Sequence, residues 1–308
     1  MLSSLTLLEF HIVVAILIAI DLLTGFRRKH AMTLKEAGIW SVIWIGFGII
    51  FGLLLLYSNY SNEDVVDYFT IFILEKSLSV DNLFVFAAIF SYFATPSSAR
   101  PIVLYVGIIS AIVFRALFIF AGIAALEALP WMVFVFAAVL VYSGIKIWGN
   151  KMESMHVERN QVVRFAKRYL PIADRYDGNR FVLATKPLLL SPLIIVLFTI
   201  EASDIMFAVD SIPAALAISR DFTIVYTANI AAILGLRSLY FLIDHMLLKF
   251  KYLSKGLAVV LIILGIKFLL EGFHIDVPKE VSVALTLSII GASILLSVID
   301  KNKKSREL

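Results

Sequence analysis

One apolar stretch, residues 187–219, carries three carboxylates, and this combination constrains the fold more than any other feature of the chain. Its sequence is PLLLSPLIIVLFTIEASDIMFAVDSIPAALAIS, which contains Glu201, Asp204 and Asp210 but no Lys or Arg. As one straight helix it would be about 50 Å long, whereas the hydrocarbon core of a bilayer is about 30 Å thick. We therefore expect a break, and Pro213 is the predicted position. A membrane helix that breaks beside buried acids is typical of a cation site, and the alternative is a long tilted helix with neutral or paired acids.

The composition is that of a membrane protein. Of the 308 residues, 61% are hydrophobic and 16% are charged, against about 45–50% and about 25% in soluble domains. The chain has no cysteine, which excludes disulfides, iron–sulfur clusters and thiolate metal sites. Its five histidines are scattered and form no HxxxH pair, so a zinc centre is not expected. Because no nucleophile–base pair or cofactor motif is found, we expect neither enzymatic activity nor a cofactor.

Hydropathy predicts an all-α, polytopic membrane protein with about nine spans. Their approximate bounds are 8–26, 38–57, 67–93, 100–125, 130–148, 187–212, 222–246, 256–272 and 281–299. We interpret residues 1–308 as a single membrane domain. Its parts are two peripheral spans (8–57), a first repeat half (67–148), a basic loop (149–186), a second repeat half (187–272), a last span (281–299) and a tail (300–308).

The distribution of Lys and Arg over the loops predicts the orientation. Most of them lie in the loops after spans 1, 3, 5 and 7 and in the tail, whereas the opposite side holds only Arg220 and Lys279. This asymmetry predicts an N-terminus outside the cell membrane and a cytoplasmic C-terminus. Within the loop, residues 157–170 predict a short helix with one apolar and one basic side, which would lie on lipid headgroups. We expect no binding of nucleic acid.

The two halves of the chain resemble each other at three places. EKSLSVDN at 75–82 aligns with DIMFAVDS at 204–211, and the next span of each half carries one buried arginine, Arg115 or Arg237. The following span of each half contains the tripeptide GIK, which ends at Lys146 or Lys267. Three spans form each copy, so the second copy would enter the membrane from the opposite side. An inverted 3+3 repeat is the architecture of many secondary transporters, with the substrate held near the midplane.

The spacing of the acids leaves two arrangements open. Asp204 and Asp210 are six residues apart and diverge by about 120° on an ideal helix, and Glu75 and Asp81 do the same. Either the helices unwind near the Val-Asp pairs and free carbonyl oxygens to act as ligands, or each acid faces a different partner. Further oxygens would come from Asn82, Ser211 and Asn229. Such an all-oxygen site suits Mn²⁺, Mg²⁺ or Ca²⁺.

Salt bridges are the structural alternative for the same acids. Arg115 and Arg237 are available as partners, and we expect them to balance acids inside the bundle, because an arginine that faces lipid is costly. Asp21, near the end of the first span, is expected at the membrane interface. Asp81 and Asp210 occupy matched positions, so they are expected to approach each other near the midplane.

The segments EKSLSVDNLFVF, IEASDIMFAVDSIPA and ILGLRSLYF resemble signature segments of the TerC family, and AIDLL with FRRKHAMTLKEA is similar to its Alx-like branch. That family belongs with the LysE-like exporters, is named for tellurium resistance and has members linked to Mn²⁺ efflux. The resemblance implies that the metal is carried by Glu75, Asp81, Glu201, Asp204 and Asp210.

These observations favour a secondary exporter of divalent cations, most simply Mn²⁺. The chain has no P-loop for binding ATP, so we expect transport to be driven by protons or by the membrane potential. Its partners would be the metal ion and membrane lipid. Two alternatives stay open: a membrane factor that assists assembly or metallation of other proteins, and an exporter of tellurite or another oxyanion. The acids argue against the oxyanion, because they would repel it.

Overall fold

A computed structural model describes most of the chain. The described residues are 2–26, 32–58, 60–149, 171–173, 175–183, 189–244, 252–275 and 277–304. The predicted amphipathic helix at 157–170 lies outside them, as do the last four residues of the tail.

The described chain is almost entirely helical, which confirms the predicted all-α membrane fold. The helices are α1 (Leu2–Phe26), α2 (Leu34–Leu54, extended by a 3₁₀ turn at Leu55–Tyr57), α3 (Asn62–Tyr92), α4 (Arg100–Ala128), α5 (Met132–Gly149), α6 (Leu193–Leu216), α7 (Phe222–Ile233), α8 (Leu236–Asp244), α9 (Leu253–Gly272) and α10 (Lys279–Lys304). By length and apolar composition, four described segments can cross a membrane, namely Leu34–Tyr57, Arg100–Ala128, Met132–Gly149 and Phe222–Leu242. The count of nine spans stays a prediction.

Two helices begin with capping boxes. The Thr33 hydroxyl accepts from the backbone amide of Glu36, and the Glu36 carboxylate accepts from the amide of Thr33, at the start of α2. Ser61 and Asp64 repeat the arrangement at the start of α3. Each box satisfies amide groups that the first turn of a helix leaves without partners.

The predicted helix break at Pro213 is wrong, because α6 is continuous from Leu193 to Leu216 with Pro213 inside its last turn. The long helix expected from the sequence is instead shortened at its start. Leu189–Leu190 belongs to a short strand, so α6 begins at Leu193 and spans 24 residues. Pro213 has no N–H, so position 213 donates no hydrogen bond to the carbonyl oxygen of Val209, one turn earlier. Its own carbonyl oxygen still accepts from the amide of Ala217, at 2.9 Å.

The break occurs instead in the middle of the predicted span 222–246, between α7 and α8. Leu234 leaves the helical region with ψ at 135°, and Gly235 follows with φ at +82°. A Cβ at Gly235 would lie 2.7 Å from the Cβ of Trp44, so both the backbone conformation and the space require glycine. This discontinuous helix lies next to the acids of α3 and α6.

Four elements form the centre of the described structure: α3 and α4 each pack against both α6 and α7. Helix α2 packs on α7 and α8, and α1 contacts α7. Most side chains of α7 are fully buried, which is consistent with its central position. A short antiparallel hairpin, in which Val182 pairs with Leu190 and Leu183 with Leu189, precedes α6.

Helices α5 and α9 form the closest helix pair, and their contacts are reciprocal. A Cβ at Gly144 would meet Ile262 and, at 2.7 Å, the carbonyl oxygen of Ala258. A Cβ at Gly265 would meet Val141 and, at 3.0 Å, the carbonyl oxygen of Ala137. Each glycine belongs to the repeated GIK tripeptide and touches the residues three and seven positions before the other glycine. A local two-fold relation between antiparallel helices has this pattern, while the complete inverted repeat stays a prediction.

Candidate metal site

Glu75 is the most enclosed acid of the centre, and three helices meet at its carboxylate. It lies on α3 and is 1% exposed. Arg115 of α4 donates from Nη1 to its Oε2 at 2.8 Å. Asn229 of α7 donates from Nδ2 to its Oε1 at 2.6 Å, and the Asn229 Oδ1 accepts in turn from Arg115. Both oxygens of Glu75 are therefore engaged by neighbouring side chains.

Arg115 links this cluster to the second acidic helix. Its Nη2 lies 3.7 Å from Oδ1 of Asp204 on α6, and its side chain is 1% exposed. One guanidinium therefore neutralises part of the charge of two carboxylates that are far apart in sequence. A planar group with several donors is suited to bridging two acceptors in this way.

Glu201, one turn before Asp204, has no such partner. Both of its carboxylate oxygens are buried, and neither accepts a hydrogen bond from any residue that the structure describes. Ser110 faces this carboxylate but donates to the carbonyl oxygens of Val106 and Gly107 on its own helix. Because a buried carboxylate without a partner is costly, a polar occupant is expected beside it.

A small cavity adjoins Glu201. Its volume is about 20 Å³, enough for one water-sized occupant. Glu201 and Asp204 supply its acidic lining, and apolar side chains of α3 and α4 surround them. Ile233 and Leu236 also line it, so the cavity borders the break between α7 and α8. Gly107 keeps the space open, because a Cβ there would lie 3.4 Å from the Glu201 Oε1.

The remaining predicted ligands lie on the same helices. Asp210 is partly buried and is within electrostatic range of Glu75, Arg115 and Lys146.

Ser211 is buried, and its hydroxyl has no hydrogen-bond partner in the described chain. Asn82 is buried on α3. Asp81 belongs to α3, but its side chain lies outside the described part, so its predicted approach to Asp210 stays a prediction.

The helices do not unwind at the Val-Asp pairs. Both α3 and α6 continue through them, so Asp204 and Asp210 leave α6 about 120° apart, as on an ideal helix. Among the described side chains, no three Asp, Glu, His or Cys residues are close enough together to hold a metal ion. The structure instead brings Glu75 and Asp204 together through Arg115, and places Glu201 beside Asp204 at the cavity.

Arg237 has a buried acidic partner that the sequence did not indicate. It forms an ion pair with Asp21 of α1, and its guanidinium lies over the ring of Tyr105, 4.2 Å from the centroid. Asp21 is 3% exposed and therefore lies inside the protein, while its predicted position near the membrane interface stays a prediction. The pair fixes α1, which we had interpreted as peripheral, to α8 directly after the helix break.

Two lysines act at helix ends, which sequence reasoning missed. Lys76 donates to the carbonyl oxygens of Ala232 and Leu234 at the break. Lys267 donates to the carbonyl oxygen of Ala217 at the end of α6. The signal available in the sequence was Gly235 within an otherwise apolar helical pattern, since an isolated glycine there can mark a helix end.

Comparison with known proteins agrees with this architecture. The chain is 39% identical over 284 residues to an uncharacterized membrane protein of Myxococcus xanthus, covering 92% of this chain and 88% of that protein. It is 36% identical over 297 residues to the putative membrane-bound redox modulator Alx of Escherichia coli K12, covering 94% and 92% of the two chains. No solved structure matches. Residues 60–306 match the profile of the integral membrane protein TerC family, and the chain therefore belongs to that family.

Proposed function

We propose that this protein is a secondary-active exporter of divalent metal cations, with Mn²⁺ as the expected substrate. The observation that carries the proposal is Glu201: a buried carboxylate with no hydrogen-bond partner among the described residues, beside Asp204, at a cavity that borders a broken helix. Discontinuous helices with buried acids are a recurrent way to bind a transported ion. A hard cation such as Mn²⁺ is suited to carboxylate and carbonyl oxygens and keeps part of its water.

The charges around the site support a cationic substrate. Four acids of the described centre, Glu75, Glu201, Asp204 and Asp210, are accompanied by the basic groups of Arg115 and Lys76, and Lys146 lies within electrostatic range of Asp210. The described centre therefore holds more acidic than basic groups, which favours binding of a cation or uptake of protons. Because a carboxylate that releases metal can take up a proton, exchange of the ion for protons follows from the same groups.

The orientation of the chain sets the direction of transport. We place the protein in the cell membrane with its N-terminus outside and its C-terminus in the cytoplasm, because Lys and Arg are concentrated in the loops on one side. In this orientation α6 begins at the cytoplasmic face, and Glu201 lies about 12 Å along the helix from it. The cavity would therefore receive the ion from the cytoplasm.

An assembly or metallation factor for other membrane proteins is the second candidate. It would use the same carboxylates to bind metal but would not move the ion across the membrane. A redox role, suggested by the name of the Escherichia coli relative, could not use thiol chemistry in this chain, which has no cysteine. The anionic centre disfavours an oxyanion substrate.

The decisive variant is Glu201→Gln, which keeps the shape of the side chain and removes its charge. The matched control is Glu127→Gln, because Glu127 is exposed on α4. For the purified parent and the control, Mn²⁺ at 100 times its Kd should stabilise the fold by about 2.7 kcal/mol. Glu201→Gln should lose that stabilisation, and cells that carry it should accumulate Mn²⁺ under high external Mn²⁺. Asp210→Asn and Asp81→Asn extend the series.

The outcomes separate the candidates. Loss of both binding and Mn²⁺ efflux in Glu201→Gln supports the exporter. Binding of Mn²⁺ by a parent protein that does not lower cellular Mn²⁺ favours the metallation factor. A Glu201→Gln protein that lowers cellular Mn²⁺ as well as the parent would show that Glu201 is structural.

A further inference from the structure

The break between α7 and α8 interrupts the backbone hydrogen bonds of the helix. The last of them joins the amide of Leu234 to the carbonyl oxygen of Ile230 at 2.9 Å, and no described backbone amide donates to the carbonyl oxygens of Ala232 and Leu234. In hydrocarbon each unsatisfied backbone group costs several kcal/mol. A broken membrane helix therefore needs a donor or a cation at this position.

A side chain from another helix fills the position. The Lys76 Nζ of α3 donates to the carbonyl oxygen of Ala232 at 2.8 Å and to that of Leu234 at 3.1 Å. The preceding residue of α3, Glu75, accepts from Asn229 on the same broken helix. Two consecutive residues of α3 thus hold α7. Glu75 accepts from the side chain of Asn229, and Lys76 donates to the carbonyl oxygens where the helix ends.

We propose that these carbonyls form a site for a monovalent cation. The cation that occupies it is the ammonium group of Lys76, which is covalently part of the chain. An ammonium group is close in size to K⁺, and carbonyl oxygens bind K⁺ by replacing its hydration shell. In other broken-helix transporters, free carbonyls of this kind coordinate a coupling ion. Here the cation is part of the protein, so the break needs no free monovalent ion. The inference does not depend on the identity of the transported substrate.

The test is to remove the attached cation and ask whether a free one replaces it. In Lys76→Ala, the truncated side chain leaves both carbonyls and space for an ion. The purified variant should unfold at a lower temperature than the parent in choline chloride. Added K⁺ at constant ionic strength should raise its midpoint saturably, by on the order of 2–4 °C, with Na⁺ less effective because it is smaller. The parent and the control Lys35→Ala, whose lysine is exposed on α2, should respond equally to K⁺ and choline.

A second variant keeps the test decisive. Lys76→Gln supplies an uncharged amide that donates to the same carbonyls, and it should show the same preference for K⁺ with a smaller shift, because the amide competes with the ion. Identical responses of both variants to K⁺, Na⁺ and choline would overturn the proposal. Failure of both variants to accumulate would also overturn it, since the K⁺ inside the cell would occupy the site if it could.

Discussion

Replacing Arg115 by Met should destabilise the protein strongly, because it leaves two buried carboxylates without their cation. At an effective dielectric constant of about 20, an ion pair at the 2.8 Å found for Glu75 is worth about 6 kcal/mol, and at the 3.7 Å found for Asp204 about 4 kcal/mol. In the parent, the cost of removing all three charges from water offsets most of this attraction. In Arg115→Met the attraction is lost while the carboxylates stay buried. We expect the free energy of unfolding to fall by about 3–5 kcal/mol.

Equilibrium unfolding in mixed micelles with a denaturing detergent measures this loss. The matched control is Arg220→Met, which removes an arginine from an exposed pair with Glu271, 47% and 37% accessible, and should cost at most about 1 kcal/mol. Adding Glu75→Gln to Arg115→Met should recover part of the loss, because an amide needs no counter-charge. Equal losses for Arg115→Met and Arg220→Met would refute the reasoning that the central cluster is a desolvated ion pair.

Three further outcomes are expected. Gly265→Ala should lower the free energy of unfolding by about 1–3 kcal/mol, because its Cβ would lie 3.0 Å from a carbonyl oxygen of the facing helix. Gly38→Ala, with nothing within 4 Å, should not lower it, because alanine is the better helix former. Asp21→Asn should also destabilise the protein, measured in the same unfolding assay, because it leaves a buried arginine unpaired; unchanged stability would contradict that pairing. In intact cells, an impermeant maleimide should label Ser61→Cys but not Ser154→Cys, and labelling of the latter would reverse the predicted orientation.

The acids were identifiable from sequence because charge is conspicuous in an apolar chain. Glu75, Glu201 and Asp204 are set apart by their environment alone, since a carboxylate in a membrane span must have a structural or functional reason to be there. Their partners were not identifiable in the same way. Arg115 pairs across 40 residues and Asn229 across 154, and spacing along one helix carries no information about contacts at such separations.

The location of the break shows the same limit. Pro213 is the stronger local signal, because proline removes a donor from any helix, yet it lies where α6 is about to end. Gly235 is the weaker signal, because many glycines are tolerated in membrane helices. The break follows from the packing of α7 and α8 against Trp44 and from the donor that Lys76 supplies.

The sequence by itself determined that the chain is a helical membrane protein with acids at its centre, because hydropathy and charge act locally and need no knowledge of contacts. Only the tertiary structure decided which acids pair with a basic side chain and which acid faces a cavity instead. Glu75 and Asp204 share Arg115, whereas Glu201 faces a cavity and accepts no hydrogen bond within the part of the chain that the structure describes. That division depends on how four helices from distant parts of the chain pack together, and on a lysine that satisfies the carbonyls of a helix in the other half of the protein.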